Sequence, residues 1–171
     1  FLYNSQNRLE QRIDQAGESE YWNYDAEGRC CLYKNRNGQE IAYSYNMLGS
    51  LLSRRSLGEE SVTESYGYTP EGRLAYAIGG GMRYDYVYDE FGRLSEKKAS
   101  GRTLLSYTYD EDGRLSSRRD ISGKETDYCC DENGLLSSIL DNGMEIASYG
   151  YTPDGRIAEV TSGPLRSSYE Y

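Results

Sequence analysis

Aromatic residues recur along this chain at a spacing much longer than the period of a single helix or strand. An anchor position, usually Tyr, returns every 20, 21 or 23 residues, and an aromatic residue stands two positions before each anchor. The anchors are Tyr3, Tyr24, Tyr45, Tyr68, Tyr88, Tyr109, Cys130, Tyr151 and Tyr171, and the preceding aromatics are Phe1, Trp22, Tyr43, Tyr66, Tyr86, Tyr107, Tyr128, Tyr149 and Tyr169. Self-similarity at a fixed period of this length is typical of repeat proteins.

Each copy of the pattern predicts a β-hairpin. Aromatic-x-Tyr places both rings on one face of a strand because side chains alternate along it. A turn follows, as at Asp89 to Gly92, in which an Asp, Asn or Thr opens a type I turn and Gly closes it in the left-handed region. The outgoing strand begins at a pair such as Arg93-Leu94, after a bulge, and runs to a second Gly-bearing turn.

Eight copies, beginning near residues 3, 24, 45, 68, 88, 109, 130 and 151, tile the chain without a linker or a shift in composition. We therefore predict an all-β fold, a single array over residues 1–171 of hairpins of about 21 residues that forms a long, curled antiparallel β-sheet strip. The ring pairs of neighbouring copies are expected to form an aromatic ladder on one face. The residues that define the repeat structurally are Tyr24, Gly28, Tyr43, Tyr45, Gly49, Tyr66, Tyr68, Gly72, Tyr86, Tyr88, Asp89, Gly92, Arg93, Leu94, Tyr107, Tyr109, Asp110, Gly113, Arg114, Leu115, Tyr149, Tyr151 and Gly155.

Charge and composition argue against several classes of function. With 19 basic and 28 acidic residues and a net charge of -9, binding to nucleic-acid phosphates or to anionic membranes is disfavoured. No apolar stretch approaches the roughly 20 residues that a membrane span needs. The chain has no His, the commonest general base and metal ligand. Its 19 Tyr supply the apolar area that its few aliphatic residues do not.

The segments from Tyr88 to Leu94 and from Tyr109 to Leu115 resemble the YD repeat of the RHS family. The resemblance extends over all eight copies, with departures such as Cys130 for Tyr and Leu135 for Arg in the seventh. It implies a long β-sheet strip that spirals into a hollow shell. In bacterial RHS and YD-repeat toxins such a shell can enclose a C-terminal toxic domain, and the similar shell of teneurins acts in adhesion outside the cell.

The resemblance implies a non-catalytic structural segment of an RHS-type shell, cut from a larger protein that is secreted or displayed at the cell surface. Its expected partners are the rest of its own shell and an enclosed C-terminal toxin or effector domain. Exposed edge strands of the piece also favour edge-to-edge self-association. The alternative is surface adhesion, in which the aromatic ladder binds carbohydrate or protein. Loss of glycan binding in Tyr86→Ala or Tyr107→Ala, with the sheet intact, would favour that alternative.

Other residues that could carry chemistry do not gather into a site. The acidic turns, such as Asp110 to Asp112, lack the EF-hand pattern, so we expect no metal or cofactor, and the turn Asp and Arg residues are expected to pair with each other. The pairs Cys30-Cys31 and Cys129-Cys130 are not CxxC motifs, and free thiols are expected. No carboxylate, Ser or Tyr has a unique partner of the right type, so no catalytic residue is predicted.

Overall fold

The computed structural model describes residues 1–58 and 61–171. These residues divide into two compact units, Phe1–Asp85 and Tyr86–Tyr171. Every regular element in the described residues is a β-strand, and no helix there is long and apolar enough to cross a membrane. The predicted all-β class and its tandem antiparallel hairpins are confirmed, whereas the curl of the strip and the single eight-copy array stay predictions.

The first unit pairs each strand with the next in antiparallel register, from β1–β2 to β8–β9. The last strand of this series continues for three residues into the second unit. The strands are β1 (Leu2–Tyr3), β2 (Leu9–Ile13), β3 (Ser19–Tyr24), β4 (Cys30–Lys34), β5 (Glu40–Tyr45), β6 (Leu51–Leu57), β7 (Thr63–Tyr68), β8 (Leu74–Gly79) and β9 (Met82–Tyr88).

The second unit repeats this arrangement, with antiparallel pairs from β10–β11 to β16–β17. Its strands are β10 (Leu94–Ala99), β11 (Arg102–Tyr109), β12 (Leu115–Asp120), β13 (Glu125–Cys130), β14 (Leu136–Asp141), β15 (Met144–Tyr151), β16 (Ile157–Ser162) and β17 (Leu165–Ser168). Each anchor from Tyr3 to Tyr151 therefore ends a return strand, and each Arg–apolar pair leads into an outgoing strand.

The turn after each anchor has the predicted form. In the second copy, Gly28 N–H donates to Asp25 O at 3.0 Å, and Asp25 N–H donates to Arg29 O at 2.9 Å. Gly28 has a φ of +85°, which a residue without Cβ adopts at little cost. The register then shifts by one residue, because Tyr24 pairs with Cys30 whereas Asn23 pairs with Leu32. The outgoing strand therefore begins at a β-bulge.

The second turns explain why some copies have 20 residues and others 21. Gly80 and Gly81, both at positive φ, form a two-residue turn between β8 and β9 without a bulge, and this copy is 20 residues long. A similar turn between β10 and β11 is accompanied by a bulge between Lys97 and Lys98, which restores 21 residues. The second turn predicted near Gly58 in the third copy falls partly on residues 59 and 60, which lie outside the described residues.

Burial is shallow because the strands of each unit form a single layer. Among the described residues no hydrophobic side chain is fully buried, and most strand residues are half-buried. The two most buried residues are polar: Glu20 is 8% exposed and Thr126 is 7% exposed. Stability must therefore come largely from strand pairing and from contacts between neighbouring copies rather than from a separate core.

Candidate functional site: the junction between repeats

Four residues recur where one copy meets the next within a unit, and we call this set the repeat junction. In the fifth copy the Arg93 Nε lies 2.7 Å from Asp89 Oδ2 in its own turn. The same guanidinium lies 4.5 Å from the ring centroid of Tyr109, the anchor of the next copy. The Tyr109 hydroxyl donates to Leu94 O at 2.8 Å. Gly113, in the turn that follows, completes the junction at φ +82°.

The anchor hydroxyl makes the same hydrogen bond in both units. Its acceptor is the carbonyl of the apolar residue that follows Arg, or its substitute, in the preceding copy. These bonds are Tyr24 to Leu9 (2.7 Å), Tyr45 to Cys30 (2.8 Å), Tyr68 to Leu51 (2.8 Å), Tyr109 to Leu94 (2.8 Å), Tyr151 to Leu136 (2.8 Å) and Tyr171 to Ile157 (3.1 Å). This bond explains why the anchor is Tyr rather than Phe. The preference for Tyr is visible in the sequence, but the prediction of an aromatic ladder considered only the rings and not the hydroxyl groups.

Arginine guanidinium groups cover the anchor rings of the next copy. The centroid distances are 5.7 Å for Arg8 over Tyr24, 4.9 Å for Arg29 over Tyr45, 4.5 Å for Arg93 over Tyr109 and 5.2 Å for Arg156 over Tyr171. A cation over an aromatic face within about 6 Å is attracted by the ring quadrupole. Arginine therefore links the turn of one copy to the ring of the next.

The turn aspartates fix the position of these arginines. Nε to Oδ2 distances are 2.7 Å for Arg29–Asp25 and 2.8 Å for Arg114–Asp110, so the expected pairing of turn Asp with turn Arg is confirmed. The second carboxylate oxygen of Asp110 accepts the Arg114 backbone N–H at 2.7 Å. One carboxylate thus closes the turn and orients the cation. This second function distinguishes Asp from Thr69 and Thr152, which occupy the same position in two copies.

At two junctions the turn glycine lies close to an arginine of the preceding copy, in addition to its positive φ. A Cβ on Gly28 would overlap the guanidinium of Arg8, which belongs to the preceding copy. A Cβ on Gly134 would likewise overlap Arg114. The positive φ predicted from the sequence is confirmed, and the structure adds this close approach.

The structure differs from the expected ladder in one respect, since neighbouring anchor rings do not stack on each other. Two successive return strands are separated by an outgoing strand, so neighbouring anchors lie about 10 Å apart. Residues of the outgoing strand fill the space: Arg54 is opposite Tyr43, and Arg118 is opposite Tyr107. The one ring pair within the described parts of the two units is Trp22–Tyr33, at 5.4 Å and 36°.

The remaining candidate groups are the four cysteines and the acidic turns. Cys30, Cys31, Cys129 and Cys130 are free thiols, as expected. The described residues contain no group of three or more His, Cys, Asp or Glu that could hold a metal ion. The recurrent polar groups are therefore those of the junction, where each is bonded to a structural partner.

Replacing Cys130 by Tyr is expected to stabilise the chain by about 1 kcal/mol relative to Cys130→Phe. Cys130 occupies an anchor position, and other anchors donate to the carbonyl 15 residues earlier, as Tyr109 does to Leu94 and Tyr151 to Leu136. A Tyr at position 130 can donate to the Leu115 carbonyl in the same way. Phe supplies the ring without the hydroxyl. Chemical denaturation of the two variants measures the difference, and equal midpoints would contradict the assigned role of the anchor hydroxyl.

Acid is expected to weaken the turns. The pKa of Asp110 is held below its ordinary value of 3.8 by the Arg114 side-chain hydrogen bond and by backbone N–H groups, against a smaller opposing effect of desolvation. The resulting stability is fully present above the unfolded pKa, near 4, and is lost as pH falls through the lower folded pKa. Unfolding midpoints between about pH 6 and pH 3 should fall more in the wild type than in Asp110→Asn. If the unfolding midpoints of the two proteins fall equally over this pH range, the Asp110 carboxylate does not contribute to stability in this way.

The geometry defines a class of protein, a β-hairpin repeat protein in which recurrent side chains form hydrogen bonds between neighbouring copies within each unit. Residues 88–126 of this chain match the model of the RHS Repeat family. This match confirms the resemblance to the RHS family in the fifth copy and most of the sixth. Comparison with curated protein sequences gives no match.

Solved structures share the fold over nearly the whole chain. "Crystal Structure of TcdB2-TccC3-Cdc42" matches with a TM-score of 0.72 and 16% identity over 98% of this chain and 11% of that one. "Structure of Photorhabdus luminescens Tc holotoxin pore, Mutation TccC3-D651A" matches with a TM-score of 0.68 and 18% identity over 89% and 9%. The chain thus spans about a tenth of the length of these proteins. At 16% to 18% sequence identity, this likeness shows that the chain shares the fold of these structures.

Proposed function

We propose that this chain is a non-catalytic wall segment of an RHS-type shell, and that its parent protein encloses a C-terminal toxin or effector domain within that shell. The observation that carries the proposal is the repeat junction. The side chains that recur in the sequence are engaged in holding one copy to the next, as at Arg93 and Tyr109. A wall built in this way can extend by adding copies, since each copy mainly contacts its neighbours.

Two further observations support a structural role. The RHS Repeat match covers the copies with the most regular junction sequence, and solved structures share the fold over most of the chain. A holotoxin pore is named in one of them. By analogy we place the parent protein outside the cell, with the rest of its own shell and the enclosed domain as its partners. None of the comparisons supports the adhesion alternative.

Limited proteolysis of the full-length gene product tests enclosure. We expect the C-terminal domain to resist a protease while the folded shell is present, and to be cleaved much faster when it is expressed alone. Breaking several junctions together, with Tyr45→Ala, Tyr109→Ala and Tyr151→Ala, should make the domain accessible. A matched control carries Phe at the same three positions and should lose less protection. Equal cleavage of the domain with and without the wild-type shell would overturn the proposal.

A further inference from the structure

The junction between the seventh and eighth copies lacks the arginine that follows the turn Asp in other copies. In the second, fifth and sixth copies the turn Asp is followed four residues later by Arg, whereas Asp131 is followed by Leu135. The third copy also lacks this Arg, but its turn begins with the neutral Asn46. Of the eight copies, only the seventh therefore keeps the carboxylate without the cation.

The remaining parts of this junction are in their usual places. The Tyr151 hydroxyl donates to Leu136 O at 2.8 Å, the bond that other anchors make. Asp131 Oδ1 accepts the backbone N–H of Leu135 at 2.9 Å, which closes the turn. Among the described residues its Oδ2 has no cationic partner, whereas the corresponding oxygen of the regular copies meets an Arg Nε at 2.7 or 2.8 Å. The ring and the carboxylate are thus both present without the group that links them elsewhere.

Neighbouring charges do not replace this missing cation. Arg114 of the preceding copy approaches the same turn, but it pairs with Asp110 at 2.8 Å and also with Asp112. Burial and the nearby Asp131 carboxylate raise the pKa of Tyr151. At the anchor of the sixth copy a guanidinium group opposes the same increase in pKa. The negative potential at the seventh junction therefore favours a bound cation.

A cleft of about 540 Å³ is lined by both Asp131 and Tyr151. Its size lies within the range of pockets that hold small ligands, about 300 to 1,000 Å³. Leu135 and Tyr149 contribute apolar surface to it. A Cβ on Gly155 would meet no atom within 4 Å, whereas guanidinium groups lie close to the equivalent glycines of the second, sixth and seventh copies. The space that an arginine fills at other junctions is therefore open here.

We propose that this cleft binds an alkylguanidinium group, the side chain of an arginine on another polypeptide segment. One face of the planar cation packs on the Tyr151 ring, its N–H groups donate to Asp131 Oδ2, and its alkyl chain packs on Leu135. Within the chain, Arg93 already has this arrangement, 4.5 Å from the ring centroid of the next anchor and 2.7 Å from Asp89 Oδ2. A guanidinium fits better than an ammonium because it is planar, stacks on aromatic rings and is more weakly hydrated.

Titration of the 171-residue chain with N-acetyl-L-argininamide, followed by two-dimensional NMR, tests this site. At low salt, where charges are least screened, we expect shifts of the Leu135 and Tyr151 amide signals that saturate at millimolar concentrations of the probe. N-acetyl-L-citrullinamide has nearly the same shape without the charge, and it should bind at least fivefold more weakly.

Two variants test the role of the carboxylate. Asp131→Asn should weaken binding of the arginine probe at least fivefold and keep the turn, because Asn46 forms the same turn in the third copy, where its Oδ1 accepts the Ser50 N–H at 2.8 Å. Asp110→Asn is the matched control. It changes a turn Asp at a junction that has its own arginine, and it should leave binding of the probe unchanged.

Leu135→Arg separates loss of the site from loss of the fold, because it supplies the guanidinium from within the chain. This variant should lose the saturable response and unfold at a higher denaturant concentration than the wild type. The proposal is overturned if the two amide signals show no saturable shift, if the citrulline probe binds as tightly, or if Asp131→Asn or Leu135→Arg binds like the wild type. Each of these results leaves the wall proposal intact, since protease protection of the enclosed domain is measured separately.

Discussion

Replacing Tyr109 by Ala is expected to lower the free energy of unfolding of this chain by about 3 kcal/mol. The substitution removes a half-buried ring that lies 4.5 Å from the Arg93 guanidinium. It also leaves Leu94 O without its 2.8 Å hydrogen bond from the Tyr109 hydroxyl. Truncation of a fully buried aromatic costs about 3–5 kcal/mol, and Tyr109 belongs at the lower end because it is partly exposed. Chemical denaturation followed by far-UV circular dichroism measures the loss.

Two control variants divide this effect into its parts. Tyr109→Phe keeps the ring and loses the hydroxyl, and it should cost about 1 kcal/mol. Tyr171→Ala removes an anchor with the same type of partners, Arg156 and Ile157 O, at a position where the anchor is 72% exposed. Its cost should be much smaller. Equal losses for Tyr109→Ala and Tyr171→Ala would show that the ring contributes nothing through burial.

Gly67→Ala is expected to destabilise the chain by about 2 kcal/mol for a purely steric reason. Gly67 stands directly opposite Tyr76, and a Cβ there would overlap the Tyr76 ring. That ring cannot move freely, because Arg83 lies over it at 4.2 Å and itself pairs with Asp85 at 2.7 Å. The backbone of Gly67 is not in the left-handed region, so conformational strain does not add to the cost.

Gly150→Ala is the matched control, with an expected effect of opposite sign. Gly150 lies between Tyr149 and Tyr151, as Gly67 lies between Tyr66 and Tyr68. A Cβ on Gly150 would meet Glu159 Cβ at 3.5 Å, an ordinary van der Waals contact. Because Ala restricts the unfolded chain more than Gly does, this variant should gain about 0.5 kcal/mol. Similar losses for both variants would show that the Tyr76 ring is not the cause.

The hairpin architecture could be predicted from the sequence because it depends on local rules. Aromatic-x-Tyr fixes which face of the strand carries the rings, and Asp89-x-x-Gly92 fixes the turn by an Asx hydrogen bond and a positive φ. The pairing of Asp110 with Arg114 also follows from short spacing. Each of these features is contained within one copy.

The junction between copies could be predicted only in part, because it depends on which strand lies between two anchors. Rings that share a face were expected to touch, but the intervening strand separates them and leaves room for Arg29 above Tyr45. The bond from Tyr45 to Cys30 O spans 15 residues and involves a backbone acceptor, which carries no signal in the sequence. The ion pair of Arg36 with Glu20, at 3.5 Å, was missed for the same reason, because Glu20 lies on β3 and Arg36 lies in the turn after β4.

A double-mutant cycle at Arg93 and Tyr109 tests most directly whether these recurrent side chains hold one copy to the next. The four proteins are the wild type, Arg93→Ala, Tyr109→Leu and the double variant, compared by their free energies of unfolding. The 4.5 Å contact predicts a coupling energy of about 1 kcal/mol, so the double variant loses less than the sum of the single losses. Additivity within about 0.3 kcal/mol would contradict the account, because it would mean that Arg93 and Tyr109 do not stabilise the junction together.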